Sequence, residues 1–466
     1  MSNSERSGTT PVMAGRSGGP ARSGGPGGAA PDPSVRLIRI LTVTIFLQWM
    51  GASSIIPMLP VYIRRLGGSD ALAGVVMASF FAAGVLSQYP IGRLADRVGR
   101  RPVLVAGLIV YALASLAFLL PIAAPVAIGL RALQGVGAGA AIVASLAMVS
   151  SSVPEDRRGR AFASIYGGEL AGMAIGPLVG SIIGARSMWI MFLGSGILSF
   201  AACVPALRIR ESGQRQADRD ARRRPDGTTT PLARVRLRRS MVGALVCAGA
   251  LGLASGVYEI CWTLLLLHRG ASGLAIGISW TLFAVPFVVA ARPSGWLADH
   301  MDRRVLVLAG LGLSTVLCAT YPFISSVPVL VLLGASEALG FAAAMPAVQS
   351  LLTQGSAPSE VGRIQGLFAT SQTAATAVSA AGAGAAFAVA IWLPFVAVAA
   401  VVFAALAAAA VIWIPVTGRV VRAPATPPPG GSDTVDGTDS PARPRSGPDQ
   451  VAGVDTGAVG VSGVVQ

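Results

Sequence analysis

The chain alternates long apolar runs with short polar connections about twelve times over. Each run holds roughly 20 residues or more, enough to cross the hydrocarbon of a bilayer as a helix. Lipid offers no partner to a backbone N–H or C=O, and a helix is the element that satisfies both within one segment. Composition agrees: 53% of residues are hydrophobic and only 12% charged, where a soluble protein carries about 25% charge. The expected class is therefore all-α and polytopic.

The runs fall into two sets of six. The first set covers about Leu37–Ile63, Ala71–Ile91, Val103–Leu120, Val126–Val149, Ala161–Ile183 and Met188–Leu207. The second covers about 240–267, 273–291, 305–323, 328–352, 364–387 and 390–415. Between them residues 208–239 form a polar linker with eleven arginines. Residues 1–36 and 416–466 are rich in Gly, Ser and Pro and are expected to be disordered tails. The expected units are thus 37–207 and 240–415. The first run starts too late and is too long for a signal peptide.

The formal charge is +15, carried by Arg without a single Lys. In a soluble protein this would suggest nucleic acid. Here the arginines sit in alternate connections, as they do on the cytoplasmic side of a membrane protein, and there is no basic groove with interleaved aromatics. Only Arg64, Arg65, Arg186 and Arg269 fall in the opposite connections. Both termini are therefore expected in the cytoplasm of a cell whose inner (plasma) membrane holds the chain. Cys203, Cys247, Cys261 and Cys318 each lie in an apolar run, with neither metal nor disulfide spacing. No GxxxxGK[ST] loop or catalytic triad stands out, so neither ATP drive nor an enzyme, and no metal or cofactor, is expected.

The charged connection Gly92–Arg101, GRLADRVGRR, returns 203 residues later as GWLADHMDRR, Gly295–Arg304. Gly159-Arg160 returns at the same offset as Gly362-Arg363. Two copies in one register make an internal duplication. Gly92 and Gly99 would allow a tight turn between helix ends. Asp96 would accept hydrogen bonds from Arg97, Arg100 or Arg101, or from Arg157 and Arg158 after the fourth run. Met301-Asp302 replaces Val98-Gly99 in the second copy, so the second latch should be the weaker.

These two segments resemble the loop between the second and third helices of major facilitator transporters and its counterpart between the eighth and ninth. The resemblance spans about residues 37–415. It implies two six-helix bundles in pseudo-symmetry around a central cavity. It also implies a gating role for Asp96, which would tie the halves together on the cytoplasmic side, with Asp299 as its repeat mate and Gly295 and Arg303 in the second copy.

Three further motifs refine it. LRALQGVGAGAA places Arg131 inside an apolar run. A guanidinium in hydrocarbon costs roughly 3 kcal/mol or more, so it should face a cavity or partner, or else snorkel to the surface. With Gln134-Gly135 it is similar to the fourth-helix motif of drug:proton antiporters, where the Arg is implicated in proton transfer. GMAIGPLVG (Gly172, Gly176, Pro177, Gly180) has four-residue glycine spacing for close helix packing. As a string it resembles the fifth-helix signature of antiporters. GASSIIPMLPVY, with Pro57 and Pro60, is similar to the first-helix signature of the 12-helix drug:proton antiporters. It lacks the acid that some members carry there and has only Gln48.

Glu169, Glu259 and Glu337 lie inside apolar runs, and each is a functional candidate by default. Apolar surroundings favour the neutral form of a carboxyl, the property a proton carrier needs. Glu337 aligns with Gln134 at the repeat offset. Glu259, beside Tyr258 and Trp262, would suit a cationic guest. Together with the resemblance these features imply proton-coupled efflux of small apolar or amphipathic compounds by alternating access, by a monomer. Arg131 and the three acids would couple the proton, while Gln48, Tyr258, Glu259 and Trp262 would meet the substrate. A dedicated metabolite or siderophore exporter, a proton-symport importer and a membrane sensor that transports nothing remain the alternatives.

Overall fold

The structure, a computed structural model, describes residues 33–209, 238–356 and 358–414. Most of the expected N-terminal tail, residues 416–466 and most of the linker lie outside them, while residues 33–36, expected in the tail, already belong to the first helix. The described residues form twelve consecutive helical spans with no strand among them. The first six are α1 (Pro33–Arg65), α2 (Asp70–Val98), α3 (Arg100–Ala117), α4 (Val126–Ser152), α5 (Glu155–Arg186) and α6 (Met188–Leu207). Then follow α7 (Arg239–His268) and α8 (Gly273–Val289), the latter continued by a helix at Ala291–His300. The rest are α9 (Arg303–Phe323), α10 (Val327–Thr353), α11 (Pro358–Val389) and α12 (Leu393–Trp413). Ten of them are long and apolar enough to cross a membrane, and α8 is a shorter apolar helix.

Two connections are more helical than expected. The charged segment after the second run is not a loop: α2 continues through Gly92, Asp96 and Arg97 to Val98. Gly99 alone makes the turn, at φ +114°, a region that favours glycine. In the second copy Met301 is extended and Asp302 caps α9 by accepting from the Arg304 N–H at 2.9 Å. An aspartate cap thus does there what a left-handed glycine does in the first copy. Likewise PEDRRGR is helical from Glu155 onward.

Packing repeats between the halves. In the first half α1 packs on α5 and α6, α4 on α2 and α3, and α3 on α6. In the second, α7 packs on α11 and α12, α10 on α8 and α9, and α9 on α12. The halves meet where α2 lies on α11 and α5 on α8, contacts that also exchange under the repeat. Arg101 donates to the Leu207 carbonyl closing α6 (2.6 Å), and its repeat mate Arg304 to the Trp413 carbonyl closing α12 (3.2 Å). Each arginine thereby satisfies a carbonyl that a helix end leaves orphaned.

The first helix of each half loses regular α winding at one register. In α1 a 3-10 turn covers Ile56–Met58, with Pro57 in its first turn and Pro60 opening the last piece, Leu59–Arg65. Pro has no N–H to donate, so it ends the preceding winding. In α7 the break is a π turn, Tyr258–Trp262.

The glycines of α5 explain its seat on α1. A Cβ at Gly168 would lie 2.8 Å from the Thr42 carbonyl oxygen, at Gly172 2.7 Å from that of Phe46, and at Gly176 2.6 Å from that of Met50. Gly180 meets the Ser54 backbone in the same way. The stripe is a groove into which the α1 backbone fits. Pro177 stands inside α5 within it. We expect Gly176→Val to cost about 1–3 kcal/mol through overpacking and to lower the melting temperature in detergent. Gly167→Val, on the same helix with nothing within 4 Å of its Cβ position, should leave melting nearly unchanged.

Candidate functional site

A cavity of about 270 Å³ opens among α5, α7, α8, α10 and α11. Its wall is mostly apolar and aromatic, with Trp262, Trp280, Phe283 and Phe341 contributing rings. Two carboxyls stand in it, Glu259 and Glu337, and their environments differ sharply.

Glu337 is 1% exposed, and hydroxyls from two other helices close around it. Tyr258 of α7 donates to its Oε1 at 2.7 Å, Ser314 of α9 donates to the same oxygen, and Tyr321 at the end of α9 donates to Oε2 at 2.5 Å. The three donors give both carboxyl oxygens a partner, as a buried charge or polar group requires. Glu259, one residue along the π turn from Tyr258, is different. Its Oε2 is buried without a hydrogen-bond partner. The cation whose field reaches it is Arg131, on the far side of the interface between halves.

Arg131 lies in the interior, 1% exposed, and does not snorkel. One terminal nitrogen donates to Gln134 Oε1 at 2.8 Å, the other reaches Met77 Sδ at 3.9 Å, and the guanidinium lies 4.5 Å from the Phe80 ring centroid. Gln134 donates in turn to Ser115 Oγ at 2.8 Å. The Nε of Arg131 is buried without a partner. A cation on a ring face, with one amide acceptor and no carboxylate bonded to it, is only partly compensated.

The repeat offset carries these groups onto one another. Gln134 maps to Glu337, Tyr111 to Ser314, Ser115 to Cys318 and Arg131 to Gly334. Each half thus has a polar node at the same place between its third and fourth helices, cationic in the first half and acidic in the second. Gly334 also admits a neighbour: a Cβ there would stand 3.4 Å from the Trp262 indole. Trp262 donates from Nε1 to Ser279 Oγ at 2.9 Å.

The other expected residues fall elsewhere. Gln48 is buried in α1 with neither amide atom bonded, and it is not on the wall of this cavity. Glu169 is half-buried on α5; its neighbours Leu170 and Met173 line the cavity, and it does not. Asp96 and Arg97 are exposed at the end of α2, while Arg100 donates to Ser151 Oγ. Arg303 donates to the Ala298 carbonyl at 3.2 Å, and Gly295 and Asp299 fall within the helix Ala291–His300. The sequence reading missed Ser314 and Tyr321. Neither residue carries a local signal in the sequence; both come to Glu337 from α9 only in the fold.

The family description of the Major Facilitator Superfamily matches residues 41–266 and 244–446. The chain belongs to that superfamily. It is a multi-span membrane transporter by family and fold. It is 28% identical over 366 residues to the class E tetracycline resistance protein of Escherichia coli, covering 74% of this chain and 85% of that one. It is 25% identical over 286 residues to a chloramphenicol resistance protein of Pseudomonas aeruginosa, covering 59% of this chain and 65% of that protein's length. Among solved structures it superposes on a bacterial homologue of the human lysosomal transporter Spinster, inward-facing and occupied. That match has a TM-score of 0.63 at 15% identity, over 83% of this chain and 97% of the other, a likeness of fold.

Gln134→Ala should remove the amide from both Arg131 and Ser115. Leaving buried donors unpaired costs about 1–3 kcal/mol, which thermal unfolding in detergent should register as a clear loss. Ser150→Ala, on the exposed end of the same helix, should change little.

Proposed function

We propose that the protein is a proton-driven exporter of small apolar or amphipathic compounds, working as a monomer in the plasma membrane with both termini in the cytoplasm. The observation that carries this reading is Glu259: an acid with an unpartnered oxygen on the wall of an aromatic cavity, facing the field of Arg131 from the other half. An acid so placed interacts differently in its two protonation states. Charged, it attracts Arg131 and any cationic guest; neutral, it keeps only ordinary hydrogen bonding.

The cycle follows from that difference. With Glu259 charged, the aromatic wall takes cargo from the cytoplasmic side. A proton arriving from outside neutralises Glu259, weakens its hold on the guest and on Arg131, and the cargo leaves outward. Return of the empty protein delivers the proton inside. The halves move against each other across α2–α11 and α5–α8, with Asp96 and the arginines around it serving as the cytoplasmic latch. Gly172, Gly176 and Gly180 keep α1 seated on α5 through this motion. The fifth-helix string and the likeness to the tetracycline and chloramphenicol resistance proteins support export over import.

The test is transport in proteoliposomes with an imposed pH gradient and a broad panel of fluorescent compounds. The wild type should move several compounds uphill and dissipate the gradient as it does so. Glu259→Gln should lose uphill transport and retain exchange of labelled for unlabelled compound. Asp96→Asn should lose both while inserting normally. Absence of gradient-dependent movement for every compound would refute proton-driven export, and movement of one compound alone would favour a dedicated exporter.

A further inference from the structure

We infer that Glu337 is a positioning residue and not a second proton carrier: through Tyr258 it anchors the π turn of α7 and so aims Glu259. The inference rests on the reading of Glu259 as the exchanging acid.

The π turn is pinned at both ends. Its first residue, Tyr258, donates to Glu337 of α10. Its last, Trp262, lays its indole over Gly334 of α10, one helical turn from Glu337, and donates to Ser279 of α8. Rings fill the space around these two anchors. Tyr321 lies with its centroid 5.1 Å from Trp262 and 6.4 Å from Tyr258, and Phe283 lies 6.4 Å from Tyr258 on the other side. Between the pinned ends Glu259 keeps an oxygen with no protein partner.

The geometry of Glu337 fits an anchor. Its donors are hydroxyls from α7 and α9, so the carboxyl knits three helices together. Three of the carboxylate's four lone-pair sites are taken, and neutralising it would weaken all three charge-assisted bonds. A π turn places side chains at angles that regular winding does not offer, and it holds only where its surroundings fix it. The other half supports the assignment. At the register of Gly334 it carries Arg131, and at the register of the π turn it has the proline-bearing 3-10 turn. Room for Trp262 exists because α10 has glycine where α4 has the arginine. The acid that Trp262 and Tyr258 frame belongs to the half opposite that arginine.

The experiment joins hydrogen–deuterium exchange of the full-length protein in nanodiscs with the transport assay. Glu337→Gln and Tyr258→Phe should each raise amide exchange several-fold in peptides covering 258–262. Their double variant should exchange no faster than the quicker single, because both act on the Tyr258–Glu337 bond. Glu259→Gln should leave exchange there unchanged. In proteoliposomes Glu337→Gln and Tyr258→Phe should keep uphill transport with a several-fold higher KM. Unchanged exchange in both Tyr258→Phe and Glu337→Gln would overturn the inference. So would a Glu337→Gln variant that loses uphill transport but keeps exchange of compounds, since that is a carrier's behaviour. If the wild type moves nothing uphill, proton-driven export fails, and the amide-exchange arm still decides the anchor.

Discussion

A charged or polar side chain inside a lipid-spanning bundle has no bulk water to turn to, and most of what is distinctive in this protein follows from that. Each buried polar group must find a partner, line a cavity or stay uncompensated at a cost. Glu337 takes the first course with three hydroxyls, and Gln134 takes it by bridging Arg131 to Ser115. Glu259 takes the second, and its bare oxygen marks where the protein keeps an unspent interaction. Backbone groups obey the same rule at the helix ends, where Arg101 and Arg304 reach the last carbonyls of α6 and α12.

The duplication sets the frame, and the function lies in the departures from it. Five helix pairings within one half recur in the other, so the scaffold remains close to symmetric. The polar nodes do not. Where α4 has Arg131, α10 has Gly334; where α4 has Gln134, α10 has Glu337. At these nodes the first half carries a cation and the second an acid, on either side of the seam between halves. A symmetric pair of acids or of cations would repel across that seam in every state.

Much of the scaffold was legible in the sequence because hydropathy reports the thickness of the bilayer. The span Met188–Leu207 coincides with α6. The same signal misjudged α2, expected to end near Ile91 and continuing to Val98, because hydropathy marks where lipid stops and not where winding stops. Outside the lipid a helix tolerates Arg and Asp on every face, so Gly92–Val98 stays helical despite its charge. Glu259 and Arg131 were legible as ionisable groups in apolar runs. Their opposition was not, since it depends on helix rotation. Nor was the triple bonding of Glu337, whose donors come from helices distant in sequence.

Glycine carries a similar lesson. The spacing of Gly172, Gly176 and Gly180 showed that something packs closely on α5, and only the fold shows that it is the backbone of α1. That contact lies within one half. The seam between halves is also lined in part by small residues: Gly74 of α2 stands against the Ala380 carbonyl of α11, and Gly277 of α8 against Ser181 of α5. Thr281 of α8 also donates to the Ala174 carbonyl of α5, at 3.0 Å. Backbone surfaces in close contact with few directional bonds resist compression but slide at little cost, since dispersion contacts are exchanged one for another. Within a half, by contrast, hydroxyls, amides and arginine–carbonyl bonds fix neighbouring helices at defined points. In the proposed alternating-access cycle this distribution of bond types would let each half keep its shape while the seam slides, with Arg131 in the first half and Glu259 in the second.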